Sequence, residues 1–200
     1  MVIRDVAAEF QRFVDRYDEG KYPPEELDRL RVAFSRPETV TPADIEAALI
    51  WKYGHTGKAN YPDHQRKLAD RISKLWPAHA IRPDDDVAAA LQRWRQLLGP
   101  TSFITVCFLL HLASPGTVPI LDQHNFRSVK FHLTKVGATR AWREKPSHFE
   151  DLILVRDFID LVRSNWRTWA GASTPPVNDI DRYLMMHGKW LKHSKRATSV

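Results

Sequence analysis

Between Phe103 and Ala113 the chain reads FITVCFLLHLA, a run that is apolar on every helical face and carries one histidine. A helix needs about 20 apolar residues to cross a bilayer, so this run is too short to span one. An element apolar all round is stable only inside a water-free core. We therefore place it at the centre of the fold, with Cys107 as a small buried hydrophobe and His111 as a hydrogen-bonded core histidine.

The remaining periodicity is helical. Val6, Phe10, Phe13, Val14 and Tyr17 recur at three- and four-residue steps and define one apolar face. Pro23-Pro24 opens a second helix, with Leu27, Leu30 and Phe34 on one side. Thr41-Pro42 reads as an N-cap followed by proline at the first helical position. That helix runs to about Tyr53, where Gly54 and Gly57 break it. A fourth helix is expected from Tyr61-Pro62-Asp63 to Leu75, ahead of Pro77, and a fifth from the Asp84–Asp86 run to Leu98, stopped by Gly99-Pro100. Further helices are expected over 122–135, 147–165 and 177–187, followed by a basic, frayed tail over 188–200. No alternation lasts long enough for a sheet, so the expected fold class is all-α, one helical domain over 1–200.

A single cysteine excludes a disulfide framework within the chain, a four-cysteine zinc site and a four-cysteine iron–sulfur cluster. The N-terminus has acids within its first ten residues and no long apolar core, which argues against a secretory signal. The expectation is a cytoplasmic monomer without a membrane partner. Charge is unevenly distributed. Residues 1–100 hold 16 basic and 16 acidic residues, whereas residues 101–200 hold 14 and 8. An excess confined to one half points to a polyanionic partner, most simply nucleic acid.

The segment 97–129, LLGPTSFITVCFLLHLASPGTVPILDQHNFRSV, carries the most specific pattern. It runs from a helix end through a tight turn, a buried helix and a proline loop to an aspartate that opens a new helix. It resembles the core of the helix-hairpin-helix DNA glycosylase superfamily, the group that includes the endonuclease-three-like repair enzymes. In that family a Pro-Val-Asp-Thr-His-like segment follows the buried helix, with an arginine a few residues on. Here Pro119-Ile120-Leu121-Asp122-Gln123-His124, then Arg127, stands in that place, and Thr105 lies 17 residues before Asp122.

The resemblance implies an all-helical fold, divisible into two lobes about a cleft, and DNA as partner. It makes Asp122 the catalytic carboxylate. Breaking an N-glycosidic bond builds positive charge on the sugar, which a fixed carboxylate stabilises while it orients water. The base must first be flipped out of the duplex. Bifunctional members carry a lysine just before the buried-helix threonine. Ile104 stands there, so the amine nucleophile is missing and the implied activity is monofunctional. The hairpin is reduced to Gly99, Pro100, Thr101 and Ser102. Proline has no N–H, so phosphate binding falls to Gly99 and to the amides and hydroxyls of Thr101 and Ser102.

His124, Arg127 and Lys130 complete the expected DNA contacts, and the basic run continues through Lys135, Arg140, Arg143 and Lys145. Trp51, Lys52 and Tyr53 are candidates for the base pocket, through stacking or, for Lys52, a substitute amine. The competing reading makes Trp51 core and Lys52 surface. Asp179, Asp181 and Arg182 read as a cap and surface charges. No His-Glu-x-x-His pair occurs, and neither metal nor cofactor is expected. Two other function classes stand beside the glycosylase: a catalytically silent helix-hairpin-helix DNA-binding or helical interaction module, and a histidine-based metal hydrolase.

Overall fold

The computed structural model describes residues 2–139 and 141–197; Arg140, whose expected role is a phosphate contact, lies outside them. The described residues form nine α-helices and no strand. These are α1 (Val2–Val14), α2 (Pro24–Phe34), α3 (Pro42–Lys52), α4 (Asp63–His79), α5 (Val87–Leu98), α6 (Phe103–Ala113), α7 (Gln123–Lys135), α8 (Phe149–Ala170) and α9 (Val177–Ala197). None is long and apolar enough to cross a membrane. The all-α expectation holds. The chain divides into two compact units, one formed by residues up to Tyr17 together with those from Pro119 onward, the other by Asp18–Val118.

The Asp18–Val118 unit is built around α6, in which every residue but Ile104 is buried. Helices α2, α3 and α5 pack against it. Burying each large apolar side chain contributes roughly 1.5–3 kcal/mol, so this one helix anchors the unit. Its histidine is satisfied internally. His111 Nδ1–H donates to Val118 O at 2.7 Å, and Nε2 accepts from Arg31 Nη2 at 2.8 Å. Burial, then the Arg31 charge, lowers its pKa to about 3, so it is neutral at pH 7. Local signals set the helix ends. Thr41 and Asp44 form a reciprocal capping box at α3, and the Asp86 carboxylate accepts from Ala89 N at 2.8 Å at α5.

Helix α4 corrects one expectation. It does not stop before Pro77 but continues through it to His79. In the last turn, proline forfeits a single backbone bond. The neighbouring Trp76 is 2% exposed and donates its indole N–H to Pro37 O at 2.9 Å, which holds the turn in place.

The other unit pairs α7 with α9 and packs α1 against α8 and α9. The two long helices outrun their sequence signals. Helix α8 extends to Ala170, and α9 continues through Gly188 to Ala197, where a frayed tail was expected. Gly188 lacks a helix-stopping role because α7 lies against it: a Cβ there would overlap the His124 carbonyl. Tertiary contact therefore overrides the poor helix propensity of glycine. Counted on the sequence, the Asp18–Val118 unit has thirteen basic and thirteen acidic residues, so the whole net charge of +6 belongs to the unit of α1, α7, α8 and α9.

Candidate nucleic-acid interface

Asp122 is the N-cap of α7. Its backbone is extended, with φ −143° and ψ 177°, and its Oδ1 accepts from His124 N at 2.6 Å and from Asn125 N at 2.7 Å. Two amide donors and the positive end of the helix dipole hold the carboxylate in one orientation. The residue is half-buried, neither sealed in the core nor fully exposed.

The loop that delivers it is pinned by Asn125, which sequence reasoning passed over. Asn125 is 1% exposed, and its Nδ2 donates to Ile120 O at 2.9 Å and to Asp181 Oδ1 at 3.5 Å. One side chain thus ties the residues before Asp122 to α9. The available signal was modest: a polar residue at the third position of a helix whose cap is an aspartate. Asp181 is correspondingly buried at 5% exposure and is not the surface charge expected. Asp179 and Arg182, expected as a cap and surface charges, are partly exposed and pair with each other at 3.3 Å.

Basic side chains gather at the neighbouring His124. Arg127 Nη1 donates to His124 Nδ1 at 3.0 Å and to Gly188 O at 3.2 Å, bridging α7 and α9. His124 is held below the usual imidazole pKa, first by burial and then by Arg127, Lys189 and Lys192, with Asp122 opposing them. The ring is thus a neutral acceptor for the guanidinium. Arg127 and Lys130, three residues apart on α7, are each half-buried next to the buried Phe126 and Val129. Asp122, His124, Arg127 and Lys130 therefore belong to one unit and one helix, with Asp122 as its cap and Lys130 at its middle.

Beneath this surface α7 and α9 meet through aromatic and polar groups. Ser128 Oγ bonds His187 Nδ1 at 2.7 Å, and His132 Nε2 bonds Tyr183 Oη at 3.0 Å. The two imidazoles stack with centroids 4.8 Å apart. Desolvation lowers His132 to about 4 and His187 to about 3, so both are neutral at pH 7. No group of three or more potential metal-binding side chains occurs among the described residues.

The other candidates lie in the Asp18–Val118 unit, and the structure changes their roles. Gly99 adopts φ +93°, which favours glycine, and Pro100–Ser102 forms a single 3₁₀ turn into α6. Ser102 is 4% exposed and its hydroxyl donates to Gly99 O at 2.6 Å. It closes the turn from inside and is not an outward phosphate ligand. Thr101 is exposed.

Trp51 is core. It is 4% exposed, lies parallel to Phe108 at 5.3 Å, meets the Tyr22 ring edge-on at 5.6 Å, and donates its indole N–H to Pro23 O at 2.9 Å. A ring face already covered by Phe108 offers no stacking platform for a base. Lys52 is neither surface nor outward: it is 9% exposed, with Nζ 5.2 Å from the Phe108 centroid. Tyr53 is half-buried, and its hydroxyl bonds Thr105 Oγ1 at 2.6 Å. An aromatic-rich segment at a helix end looks alike whether it faces a ligand or the core, and α6 claims it here.

No family model, no curated protein and no solved structure matches this chain.

Proposed function

We propose that the protein is a monofunctional DNA glycosylase, which hydrolyses the N-glycosidic bond of a modified or damaged base flipped from duplex DNA. The observation that carries this reading is Asp122. Its carboxylate is oriented by two backbone amides and half-buried, and the neighbouring His124 ring feels the charges of Arg127, Lys189 and Lys192. The sequence pattern of Pro119–Arg127 supports it.

In this reading the bond between the sugar C1′ and the base nitrogen breaks, and its electron pair leaves with the base. Positive charge spreads over C1′ and the ring oxygen, where the Asp122 carboxylate stabilises it. Water then adds to C1′ and gives its proton to Asp122, leaving an abasic sugar. Arg127 and Lys130 supply cations to the phosphates. Ile104 in place of a nucleophilic amine accounts for the absence of a strand-cutting step.

One observation favours a second reading, a catalytically silent DNA-binding module. Ser102 is turned inward at the position where a hairpin of this family meets phosphate. Incubation with duplexes carrying uracil, alkylated, oxidised or hypermodified bases, followed by hot alkali, separates the two. Alkali-dependent breaks that vanish in Asp122→Asn support the glycosylase. Salt-sensitive binding without base release on any of these duplexes overturns it in favour of the silent module.

A further inference from the structure

Residues of α7 and α9 together with Glu144 enclose a concavity of about 650 Å³, lined by Arg127, Lys130, Phe131, Lys135, Glu144 and Lys192 among others. We propose that this groove binds an unpaired nucleic-acid strand. The inference goes beyond the glycosylase reading, because it requires no chemistry at Asp122.

Three observations carry it. The first is charge: four cations and one carboxylate line the groove, in the unit that holds the whole net charge of the chain. Lys135 is paired with Asp5 at 2.7 Å, and Arg127 bridges His124 and Gly188. Among the described residues no carboxylate pairs with Lys130 or Lys192, and Glu144, the single carboxylate of the lining, leaves most of the counter-charge unsupplied. A polyanion supplies it and releases counterions in doing so.

The second is the aromatic floor. Phe131 is 38% exposed on a charged helix face, and its ring is steadied by edge contacts to His132 at 5.5 Å and His187 at 5.3 Å. Exposing a phenyl ring costs free energy that a stacked base would recover. A duplex hides its base faces, and an unpaired strand presents them. An acidic peptide would satisfy the lysines and leave the ring unused.

The third is size. A cleft of this volume matches those that enclose one small molecule, which is the scale of a single unstacked nucleotide and well below that of a double helix. Cations beside an aromatic platform in a groove of that size form the combination that holds single strands without sequence readout.

The test is fluorescence anisotropy with a labelled 15-mer of thymidylate, a 15-mer of uridylate, a 15-base-pair duplex and a 15-residue polyglutamate, each titrated at several salt concentrations. At least one single strand is expected to bind more tightly than the duplex and the polyglutamate. Phe131→Ala is expected to weaken it about 5-fold or more, the lower end of what stacking one base contributes, while Phe131→Tyr retains affinity. Lys192→Gln is expected to reduce the salt slope by about 0.7, one single-strand phosphate contact. Circular dichroism of each variant separates lost binding from lost fold. Asp122→Asn is expected to bind the single strand as the parent does, so loss of base release and loss of strand binding are read independently. Duplex or polyglutamate binding as tight as the best single strand, or unchanged affinity in folded Phe131→Ala, overturns the proposal.

Discussion

Gly188 in the middle of α9 lies so close to His124 at the start of α7 that a single added methyl group would overlap the His124 carbonyl. Overfilling a packed interior typically costs 1–3 kcal/mol, and backbone cannot swing aside as a flexible side chain can. Against rigid backbone the cost falls at the upper end, about 2–3 kcal/mol, so Gly188→Ala is expected to destabilise the protein by about 1–2 kcal/mol after the roughly 1 kcal/mol gained in helix propensity is subtracted. Urea unfolding monitored by circular dichroism measures it; an unchanged or higher midpoint contradicts the close approach.

Asp122 has two separable roles, and substitutions divide them. Asparagine caps a helix as well as aspartate does, so Asp122→Asn is expected to change stability by less than about 0.5 kcal/mol while abolishing base release. Asp122→Ala removes the acceptor for the His124 and Asn125 amides and is expected to cost about 0.5–2 kcal/mol. Equal destabilisation by the two variants is the result that contradicts a capping role.

Three buried histidines predict how stability responds to acid. His111 and His187 are lowered to about 3 and His132 to about 4, from an ordinary value of 6.5. Their unfolded forms bind protons below about pH 6.5, whereas the folded forms resist until near pH 4 and below. Stability is thus fully present above pH 6.5 and falls as pH drops through the window from 6.5 towards 3. Repeating urea unfolding between pH 8 and pH 4 checks the sign. A His132→Gln/His187→Gln variant is expected to be less stable at pH 8 but flatter across that window, and an equally steep decline contradicts the assignment.

Trp51 and Ser102 are structural, and their variants are expected to behave so. Trp51→Ala empties the space between Phe108 and Tyr22 and is expected to cost about 3–5 kcal/mol. Ser102→Ala loses one turn hydrogen bond, worth about 1 kcal/mol, and is expected to leave DNA affinity unchanged. Anisotropy on duplex DNA together with thermal melting distinguishes the two effects. A folded Ser102→Ala protein with weakened DNA binding restores the outward role for that hydroxyl.

Local chemistry was legible in the residues themselves. The apolar run 103–113 announced a central helix because no other environment suits it, and α6 is buried at all positions but Ile104. Thr41, Asp86 and Asp122 announced helix starts because a short acceptor side chain satisfies amides that the helix leaves open. Asp122, His124, Arg127 and Lys130 share α7, from its cap to its middle, because they are close in sequence. What the sequence did not determine depended on neighbours distant along the chain. Whether Trp51 faced a ligand or Phe108, whether Ser102 pointed out or closed its own turn, and whether Gly188 ended a helix or admitted another were decided by packing. A residue's type determines which contacts are favourable, but the contacts it makes are set by which surfaces the fold brings against it, and only the tertiary structure brought α7 against α9 and α6 against α3.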